Sequence, residues 1–353
     1  MIRKTLKFIL WIIVIFVIIL ASYLIFMTVT DYKPKDVISL KIENNKQDVI
    51  KKNIPLRILT FNIGFCGLDK DQDFFMDGGT GSRSQSKEKT LENLNEITEF
   101  LKKEKSSIIF LQEIDVNCTR SFYINEYKYV KDNLKDYSST FALNYKVPWV
   151  PVPIFKPHGK VEAGLATFSQ YNIEKSDRYQ YPGNEKWPRQ LALLDRCFIE
   201  SRLKVEGGKE LILINSHLSA YDKGGTIRKQ QLQFLKDYIE KEYKQGNYII
   251  VGGDWNHVIP GTDPNIFKSE QEWPEWLKKI PKDFESEDFK WAVDTLVPSN
   301  RSIDIPYKKG INYLSIIDGF LVSSNIEIKN VKGYSLEFKN SDHNPVEVEF
   351  ELK

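Results

Sequence analysis

The stretch Tyr248–Asn256, YIIVGGDWN, joins an apolar run to two glycines, a carboxylate and a carboxamide. The run Tyr248–Val251 predicts a short buried strand, and the glycines allow the backbone to approach a neighbouring group closely. Residues i and i+2 of a strand point to the same side, so Asp254 and Asn256 can aim at one bound atom. The alternative is a turn, where Asp and Asn are common because they hydrogen-bond their own backbone. Taken alone, the stretch favours the turn.

Other apolar runs along the chain also end in polar, mostly ionisable side chains. These are Asn62 after ILTF, Glu113 after IIFLQ, His217 after ILINS, Asp318 after LSII, and Asp342 and His343 before NPVEVEF. Apolar residues at helical spacing over 87–105 and 226–245 predict helices between the strands. A single case would be a cap or a turn. Six cases in chain order indicate a common site, because ligands and catalytic groups gather at strand ends in α/β sheets.

The segment 8–29, FILWIIVIFVIILASYLIFMTV, contains no charged residue. As a helix it is about 33 Å long, which is enough to cross a bilayer. A secretory signal is the alternative, but its apolar core is usually only about 7–15 residues long. Ala21-Ser22-Tyr23 is also a poor cleavage site. The sequence therefore predicts a transmembrane anchor over 8–29, after an N-terminal tail of residues 1–7.

Basic residues flank this segment on both sides. They are Arg3, Lys4 and Lys7 before it and Lys33, Lys35 and Lys41 after it. The compact basic tail favours a cytoplasmic N-terminus, with the remainder of the protein outside the cytoplasm at the cell membrane. Residues 30–54 are rich in Lys and Asn and predict a short stalk. Residues 55–353 then predict one catalytic domain with alternating strand and helix signals.

The composition is that of a folded domain with a large core: 353 residues, 41% hydrophobic and 28% charged. Lys and Arg number 50 against 48 for Asp and Glu, and the formal net charge is +2. A nucleic-acid-binding protein usually shows a clear basic surplus. The near-neutral balance makes nucleic acid a less favoured partner, although a local basic patch remains compatible with it.

Six motifs resemble the endonuclease/exonuclease/phosphatase superfamily. They are TFNIG, LQE, NSHLSA, GGDWN, IIDGFLVS and SDHNPV, spread in the family's order from Thr60 to Val346. The resemblance implies an α+β, DNase I-like fold, a four-layer sandwich of two mixed β-sheets flanked by helices, here preceded by one N-terminal transmembrane helix. It also implies a metal site at one end of the sandwich.

The resemblance implies roles for the strand-end residues. The implied metal ligands are Asn62, Glu113 and Asp342, and the implied catalytic residues are His217, Asp254, Asn256, Asp318 and His343. Asp254 would position or activate water, with Asn256 steadying the phosphate oxygens and the two glycines giving the phosphate room. Asp318 would fix the tautomer of His343 and raise its pKa. His217 would donate a proton or contact phosphate. Either Asp254 or His343 would be the base.

The types of ligand atom suggest the cofactor, and the loops suggest the substrate contacts. Carboxylate and amide oxygens suit Mg²⁺, with Mn²⁺ as an alternative, better than Zn²⁺. The loop 66–86 is expected to overhang the site and shape substrate choice. Candidate contacts for a substrate anion are Arg83, Arg120, His158 and Lys160.

The favoured function is a membrane-anchored, Mg²⁺-dependent phosphoesterase that acts on a lipid head group or a small phosphoester, as a monomer. The abasic-site nucleases of the superfamily usually have Arg where this chain has Ile317, and the 5-phosphatase motif Pro-Ala-Trp-x-Asp-Arg is missing before the last motif. Two alternatives remain: an anchored extracytoplasmic nuclease, and a binding module without catalytic activity.

Overall fold

The computed structural model describes residues 2–220, 222 and 224–353, and most of them belong to helices and strands. The helices are α1 (Ile2–Val29), α2 (Lys87–Glu104), α3 (Glu126–Asn133) and α4 (Thr226–Lys244). The strands are β1 (Val37–Ser39), β2 (Leu56–Asn62), β3 (Ile108–Asp115), β4 (Ser138–Val150), β5 (Gly159–Ser169), β6 (Lys175–Gln180), β7 (Cys197–Lys204), β8 (Glu210–His217), β9 (Tyr248–Asp254), β10 (His257–Val258), β11 (Lys278–Lys279), β12 (Phe289–Ala292), β13 (Asn300–Arg301), β14 (Leu314–Ser315), β15 (Asp318–Ser323), β16 (Ile326–Gly333) and β17 (Val346–Leu352).

Within the described residues, two large mixed sheets form the body. One has the order β1-β6-β7-β8-β9-β15-β12, and the other has the order β16-β17-β2-β3-β5-β4. The pairs β2/β3 and β8/β9 are parallel, and the other neighbours in these sheets are antiparallel. A parallel pair needs a crossover connection, and α2 and α4 lie in these two connections. The predicted two-sheet α+β architecture is confirmed.

The strands alternate between two apolar environments. On β2, Leu56 and Ile58 lie in the core between the sheets, whereas Leu59 and Phe61 pack with residues of α2. On the other sheet, α4 packs its apolar stripe against the outward residues of β8 and β9. This gives four layers, helix, sheet, sheet and helix. The alternation follows from the period of two of a strand.

The helices lie where the apolar spacing predicts them. The Ser86 side chain accepts a hydrogen bond from the Lys89 N–H and so caps the first turn of α2. At the other end Lys105 adopts a left-handed conformation, with φ of 53°, and its N–H donates to the Leu101 carbonyl. Leu94, Ile97 and Leu101 are buried on the face that meets the sheet.

The segment predicted as a stalk is in large part packed on the body. β1 pairs with β6 at the edge of the seven-stranded sheet, and Ile50 is fully buried in the core between the sheets. The predicted boundary at residue 55 is therefore wrong. The sequence pattern missed it because a three-residue edge strand and one isolated core residue leave too little periodicity to detect. The physical gain is that β1 covers the edge of β6, whose backbone groups would otherwise be unpaired.

The helix α1 is long and apolar enough to cross a membrane, by length and composition alone. Most of its side chains are exposed, but Met27 near its end is buried against the body. The helix therefore reaches the body directly.

Replacing Ile50 by Ala is expected to lower the free energy of unfolding by about 2–5 kcal/mol, because a buried methyl-rich side chain is lost from a packed core. The neighbouring Val49, 45% exposed, supplies the control, since Val49→Ala should change stability by less than about 0.5 kcal/mol. Chemical unfolding of the full chain in detergent measures both. Equal stability of the two variants would show that the segment is not part of the folded body.

Candidate active site

Catalytic candidates lie where the inward faces of the strands reach one end of the cleft between the sheets. On β9, Ile250 and Asp254 share the inward face, and on β15 Asp318 shares it with Phe320. Asp254 is paired directly with His217 on β8 and with Asp318 on β15. Side chains of directly paired residues lie within contact distance. Register alone therefore brings these three ionisable groups together.

The other sheet contributes Asn62 and Glu113 to the same end of the cleft. Asn62 ends β2 on the inward face of Ile58. Glu113 lies at an irregularity in the β3/β5 pairing and has φ of 53°. A left-handed backbone is costly for a non-glycine residue and is found at functional sites. Here it turns Glu113 out of the strand alternation, and its side chain lines a cavity at the strand ends.

Asp254 uses its two carboxylate oxygens differently. Oδ1 accepts the Asn256 N–H at 2.9 Å, which is the predicted turn interaction. Oδ2 accepts Asn62 Nδ2 at 3.0 Å and lies 3.3 Å from His217 Nε2. The strand ends at Asp254, and Asn256 has φ of 49° with its Nδ2 donating to the Leu218 carbonyl at 2.8 Å. The turn and the site therefore coexist, but not through the same-side strand geometry that the sequence suggested.

The two glycines before Asp254 make room for protein groups. A Cβ on Gly252 would lie 2.4 Å from the Phe320 ring, and one on Gly253 would lie 1.9 Å from the Ser216 carbonyl oxygen. Gly253 also has φ of 139°. These glycines therefore give room to protein groups, whereas the sequence suggests that they give room to the phosphate. They allow β9 to pack between its neighbours and so set the position of Asp254.

Asp318 and His343 form a close pair. His343 Nδ1 lies 2.8 Å from Asp318 Oδ2, and Nε2 on the other side of the ring faces Asn300 at 3.1 Å and Asp254 Oδ2 at 3.8 Å. Burial by itself lowers the pKa of His343, but the carboxylates of Asp318, Asp342 and Asp254 outweigh it and raise that pKa to about 10. A pKa this high favours the imidazolium form of the ring, held by Asp318 through Nδ1–H.

Asp254 and His217 are shifted in the directions that favour their neutral forms. Burial, with a further contribution from Asp318, raises the pKa of Asp254 to about 7. Burial, together with Arg196 and His343, holds the pKa of His217 well below its ordinary value. The neutral ring can donate Nε2–H to Asp254. Its Nδ1 is buried and has no hydrogen-bond partner among the described residues.

The carboxylates of Glu113 and Asp342 fit a hard cation. Both line the cavity, and burial raises the pKa of Glu113, with Asp342 raising it further. A buried carboxylate that has a second carboxylate nearby is stabilised by a bound cation. Gly64 lies beside them, since a Cβ there would be 2.7 Å from Asp342 Oδ1.

Asn62, which the resemblance implies as a metal ligand, is hydrogen-bonded to its neighbours. Its Oδ1 accepts the Gly64 N–H at 3.0 Å, and its Nδ2 donates to Glu113 Oε1 at 3.3 Å as well as to Asp254. In this orientation Asn62 aligns two carboxylates. Ligand atoms of Asp254, Asp318 and His343 also lie within 4.8 Å of one another. That trio contains the Asp318–His343 hydrogen bond, so we interpret it as a charge pair with a neighbouring acid.

The cavity has polar residues at its base and an apolar wall. The catalytic candidates Glu113, His217, Asp254, Asn256, Asp342 and His343 all line it. The wall includes Leu68, Phe74, Met76, Tyr145, Leu193, Leu194, Ile227, Trp276 and Ile303. Since Leu68, Phe74 and Met76 belong to the loop 66–86, the expectation that this loop overhangs the site is met.

The four predicted substrate contacts divide into two groups. Arg120 and His158 line the cavity, whereas Arg83 and Lys160 are not among its lining residues. Arg120 is tied to Asp115 by a buried ion pair at 2.8 Å. Burial, and then the charge of Arg120, lower the pKa of His158 to about 3.

The other two cations bond elsewhere. Arg83 Nε donates to the Pro157 carbonyl at 2.6 Å, and Lys160 pairs with Glu162 at 3.4 Å. They therefore support the loops around the cavity and do not face it.

Two residues at the site escaped the sequence reasoning. Asn300 contacts His343, and the Ser299 hydroxyl accepts the backbone N–H groups of Ile317 and Asp318 at 3.0 and 2.9 Å. Both come from the two-residue pair β13/β14 and the residue before it, which carries no periodic signal. Only their position after an apolar loop and before a basic residue, in PSNR, marks them in the sequence.

Comparison with known proteins agrees with this arrangement. No curated protein sequence matches the chain at a significant level. An endonuclease/exonuclease/phosphatase from Beutenbergia cavernae is structurally similar, with a TM-score of 0.59 and 15% identity over 84% of this chain and 72% of that chain. The human nocturnin catalytic domain with bound sulfate has a TM-score of 0.54 and 16% identity over 89% and 97%.

TDP2 from Caenorhabditis elegans, in truncated form, has a TM-score of 0.52 and 16% identity over 85% of this chain and 98% of that chain. At such identities these likenesses establish the fold. The sequence model of the Endonuclease/Exonuclease/phosphatase family matches residues 59–343, a range that runs from β2 to His343 and includes each of the strand-end residues described above. The chain therefore belongs to the endonuclease/exonuclease/phosphatase family.

Proposed function

We propose that this protein is a membrane-anchored, divalent-cation-dependent phosphoesterase that acts as a monomer on a lipid head group or a small phosphoester. Members of its family are hydrolases of phosphoesters. The observation that carries the proposal is the convergence of Asp254, the Asp318–His343 pair and the acids Glu113 and Asp342 on one cavity. Hydrolysis of a phosphate ester needs a base for water and positive charge near the phosphoryl oxygens.

Asp254 is suited to be the base. A general base works best when its pKa is near the working pH, and the pKa of Asp254 is raised to about 7. Asn62 and His217 hold its Oδ2 from two sides. Asp254 would take a proton from water at Oδ2, while Asn256 would donate from its remaining amide N–H to a phosphate oxygen.

His343 is suited to stabilise developing negative charge. Its ring is an imidazolium because its pKa is raised to about 10, and Nε2 faces Asp254 and not Asp318. Nε2–H would donate to a phosphoryl oxygen, and Asp318 would keep the ring in that orientation. His217 Nδ1, which has no partner among the residues that the structure describes, would accept a hydrogen bond from the substrate.

A divalent cation is proposed to bind at Glu113 and Asp342, and the support is that both carboxylates line the cavity. Mg²⁺ is the proposed cation and Mn²⁺ an alternative, because both prefer oxygen ligands. When bound, the cation would polarise the phosphoryl group and stabilise its charge.

Residues 8–29 are proposed to anchor the protein in the cell membrane, with the catalytic domain outside the cytoplasm. The support is the length and apolar composition of α1, and the basic tail before it. The decisive experiment is a substrate screen of the full chain in detergent micelles with Mg²⁺. Phospholipids, inositol phosphates, nucleotides and single- and double-stranded nucleic acid are the substrates. Turnover confined to nucleic acid would contradict the proposal and favour an anchored nuclease, and turnover of none would favour a binding module.

Adding Mg²⁺ is expected to raise the Tm of the full chain by about 5 °C at a hundred times its Kd, since a ligand bound only by the folded state stabilises it by about 2.7 kcal/mol. Glu113→Gln should remove most of this shift. Glu99→Gln, a change at an exposed residue of α2, should leave it unchanged. A shift of the same size in both variants would place the cation elsewhere.

A further inference from the structure

Two surface segments beside the cavity expose an unusual amount of apolar surface. They are residues 149–158, which form the end of β4 and the loop after it, and residues 181–188 after β6, and we call them the two loops. Phe155, Ile154 and Trp187 have exposed fractions of 102%, 82% and 62%, and Val152 and Trp149 are exposed to lesser extents. We call these five side chains the docking surface. Full exposure of adjacent large apolar side chains is uncommon on a soluble protein and marks an interaction site.

The end of α1 is bonded to both loops. The Tyr23 hydroxyl donates to the Trp149 carbonyl at 3.0 Å, and Trp187 Nε1 donates to Thr28 Oγ1 at 3.2 Å. Met27 is buried in an apolar cluster that includes Val147 and Val150. Trp149 and Trp187 are therefore held against the last two turns of the helix.

The position of these contacts along the helix axis indicates what covers the docking surface. Tyr23 lies about 9 Å before Val29 along the axis, at about 1.5 Å per residue. If residues 8–29 cross a bilayer, the Trp149 carbonyl lies at the depth of the outermost part of that span. The loop that continues to Phe155 then meets the same leaflet.

The residues around the docking surface fit a lipid interface. Trp and Tyr are enriched at the level of the head groups, and Trp149, Trp187 and Tyr23 cluster at the end of α1. The exposed Lys156 and Lys186 flank the two loops, and residues 147–157 contain no acidic side chain. Basic residues beside an apolar surface are attracted to anionic lipids.

Both loops also border the catalytic cavity. Gly183, Asn184 and Glu185, which precede Trp187, line it, and so does His158 after the first loop. The Ser82 hydroxyl, in the loop that overhangs the site, donates to the Lys156 carbonyl at 2.5 Å. A membrane that covers the two loops therefore lies at the edge of the cavity.

We infer that the docking surface inserts into the bilayer leaflet from which α1 emerges and turns the catalytic cavity toward lipid head groups, so that the substrate is a membrane phospholipid. This inference rests on the proposed phosphoesterase function for its substrate, and on geometry alone for the docking.

The docking is tested by a fluorescent label on Phe155→Cys in the full chain, reconstituted in nanodiscs of phosphatidylcholine and phosphatidylglycerol. Cys66, Cys118 and Cys197 are free but buried, so an environment-sensitive maleimide labels position 155 selectively. Leu296→Cys is the control, because Leu296 is 76% exposed and follows β12 at the opposite edge of the sandwich from β4.

Spin-labelled acyl chains should remove most of the fluorescence at position 155 and leave that at 296 unchanged. Equal, solvent-like emission at both positions would overturn the docking and point to a protein or a second copy as the occupant.

The substrate class is tested by the triple variant Ile154→Ser, Phe155→Ser and Trp187→Ser in the same nanodiscs. We expect about tenfold lower turnover of phospholipid and unchanged turnover of soluble bis(p-nitrophenyl) phosphate, because apolar contacts give the attraction to the interface. Leu296→Ser should change neither. Equal loss on both substrates, or no loss on lipid, would overturn the lipid assignment. If the unmodified protein turns over neither substrate while position 155 is quenched, the phosphoesterase proposal fails and the docking stands.

Discussion

Glu113→Gln is expected to lower turnover of a soluble phosphodiester at least about 10²-fold, since Lewis-acid stabilisation of phosphoryl charge is worth several kcal/mol and about 1.4 kcal/mol is a factor of ten. The substitution removes one negative charge and preserves the size of the side chain. It also preserves an acceptor for Asn62 Nδ2, which lies 3.3 Å from Glu113 Oε1. The fold should therefore survive, and the loss should be in kcat.

Two measurements make this result specific. Thermal unfolding without added cation should be nearly the same for Glu113→Gln and the unmodified protein, because burial disfavours the charge that is removed. Glu99→Gln should retain full turnover. Full activity of Glu113→Gln, or loss of folding in place of activity, would remove Glu113 from the proposed site.

Asp318→Asn and His343→Gln are expected to impair the same step. Loss of a positioned acid–base or charge-stabilising group costs about 10²–10⁴-fold in rate. Because the two side chains act as one hydrogen-bonded unit, with Nδ1 2.8 Å from Oδ2, the double variant should be little slower than the slower single variant. His343→Gln is preferable to Ala because it keeps a donor for the buried Asp318 carboxylate, which would otherwise be left unpaired.

The pairing has a second readout that does not depend on turnover. The carboxylate of Asp318 is the leading reason that the pKa of His343 rises to about 10 in spite of burial. Asp318→Asn should therefore lower the pKa of His343 in an NMR titration of the ring protons. Losses of turnover that multiply in the double variant, together with an unmoved His343 titration, would show that the two residues act separately.

Several parts of the fold follow from local pattern. The apolar runs of β2, β8 and β9 predict buried strands, and spacing of three and four predicts α2 and α4 within one residue of their observed bounds. The strand-end polar residues predict one common site. Those at the ends of the core strands share the inward face with apolar core residues, as Asn62 does with Ile58 and Asp254 with Ile250.

Other parts depend on contacts that the local pattern does not reveal. Arg120 reads in the sequence as a loop cation, but the buried carboxylate of Asp115 neutralises it. The sequence assigns Gly252 and Gly253 to a ligand, whereas the Phe320 ring and the Ser216 backbone, far away in the chain, occupy their space.

The sequence by itself determined the family through its motifs and their order, and that resemblance implied the two mixed sheets. It also determined the apolar N-terminal helix and the set of polar residues at the strand ends, because these follow from local composition and pattern. Only the tertiary structure decided which of these polar residues pair and hydrogen-bond with one another. In the tertiary structure Asp254 pairs with His217 and Asp318, and Asn62 donates a hydrogen bond to Asp254. The segment 37–54 packs in large part on the body. Cross-strand register and burial set these relations, and both arise from hydrogen bonds and packing between distant segments, which no local pattern encodes.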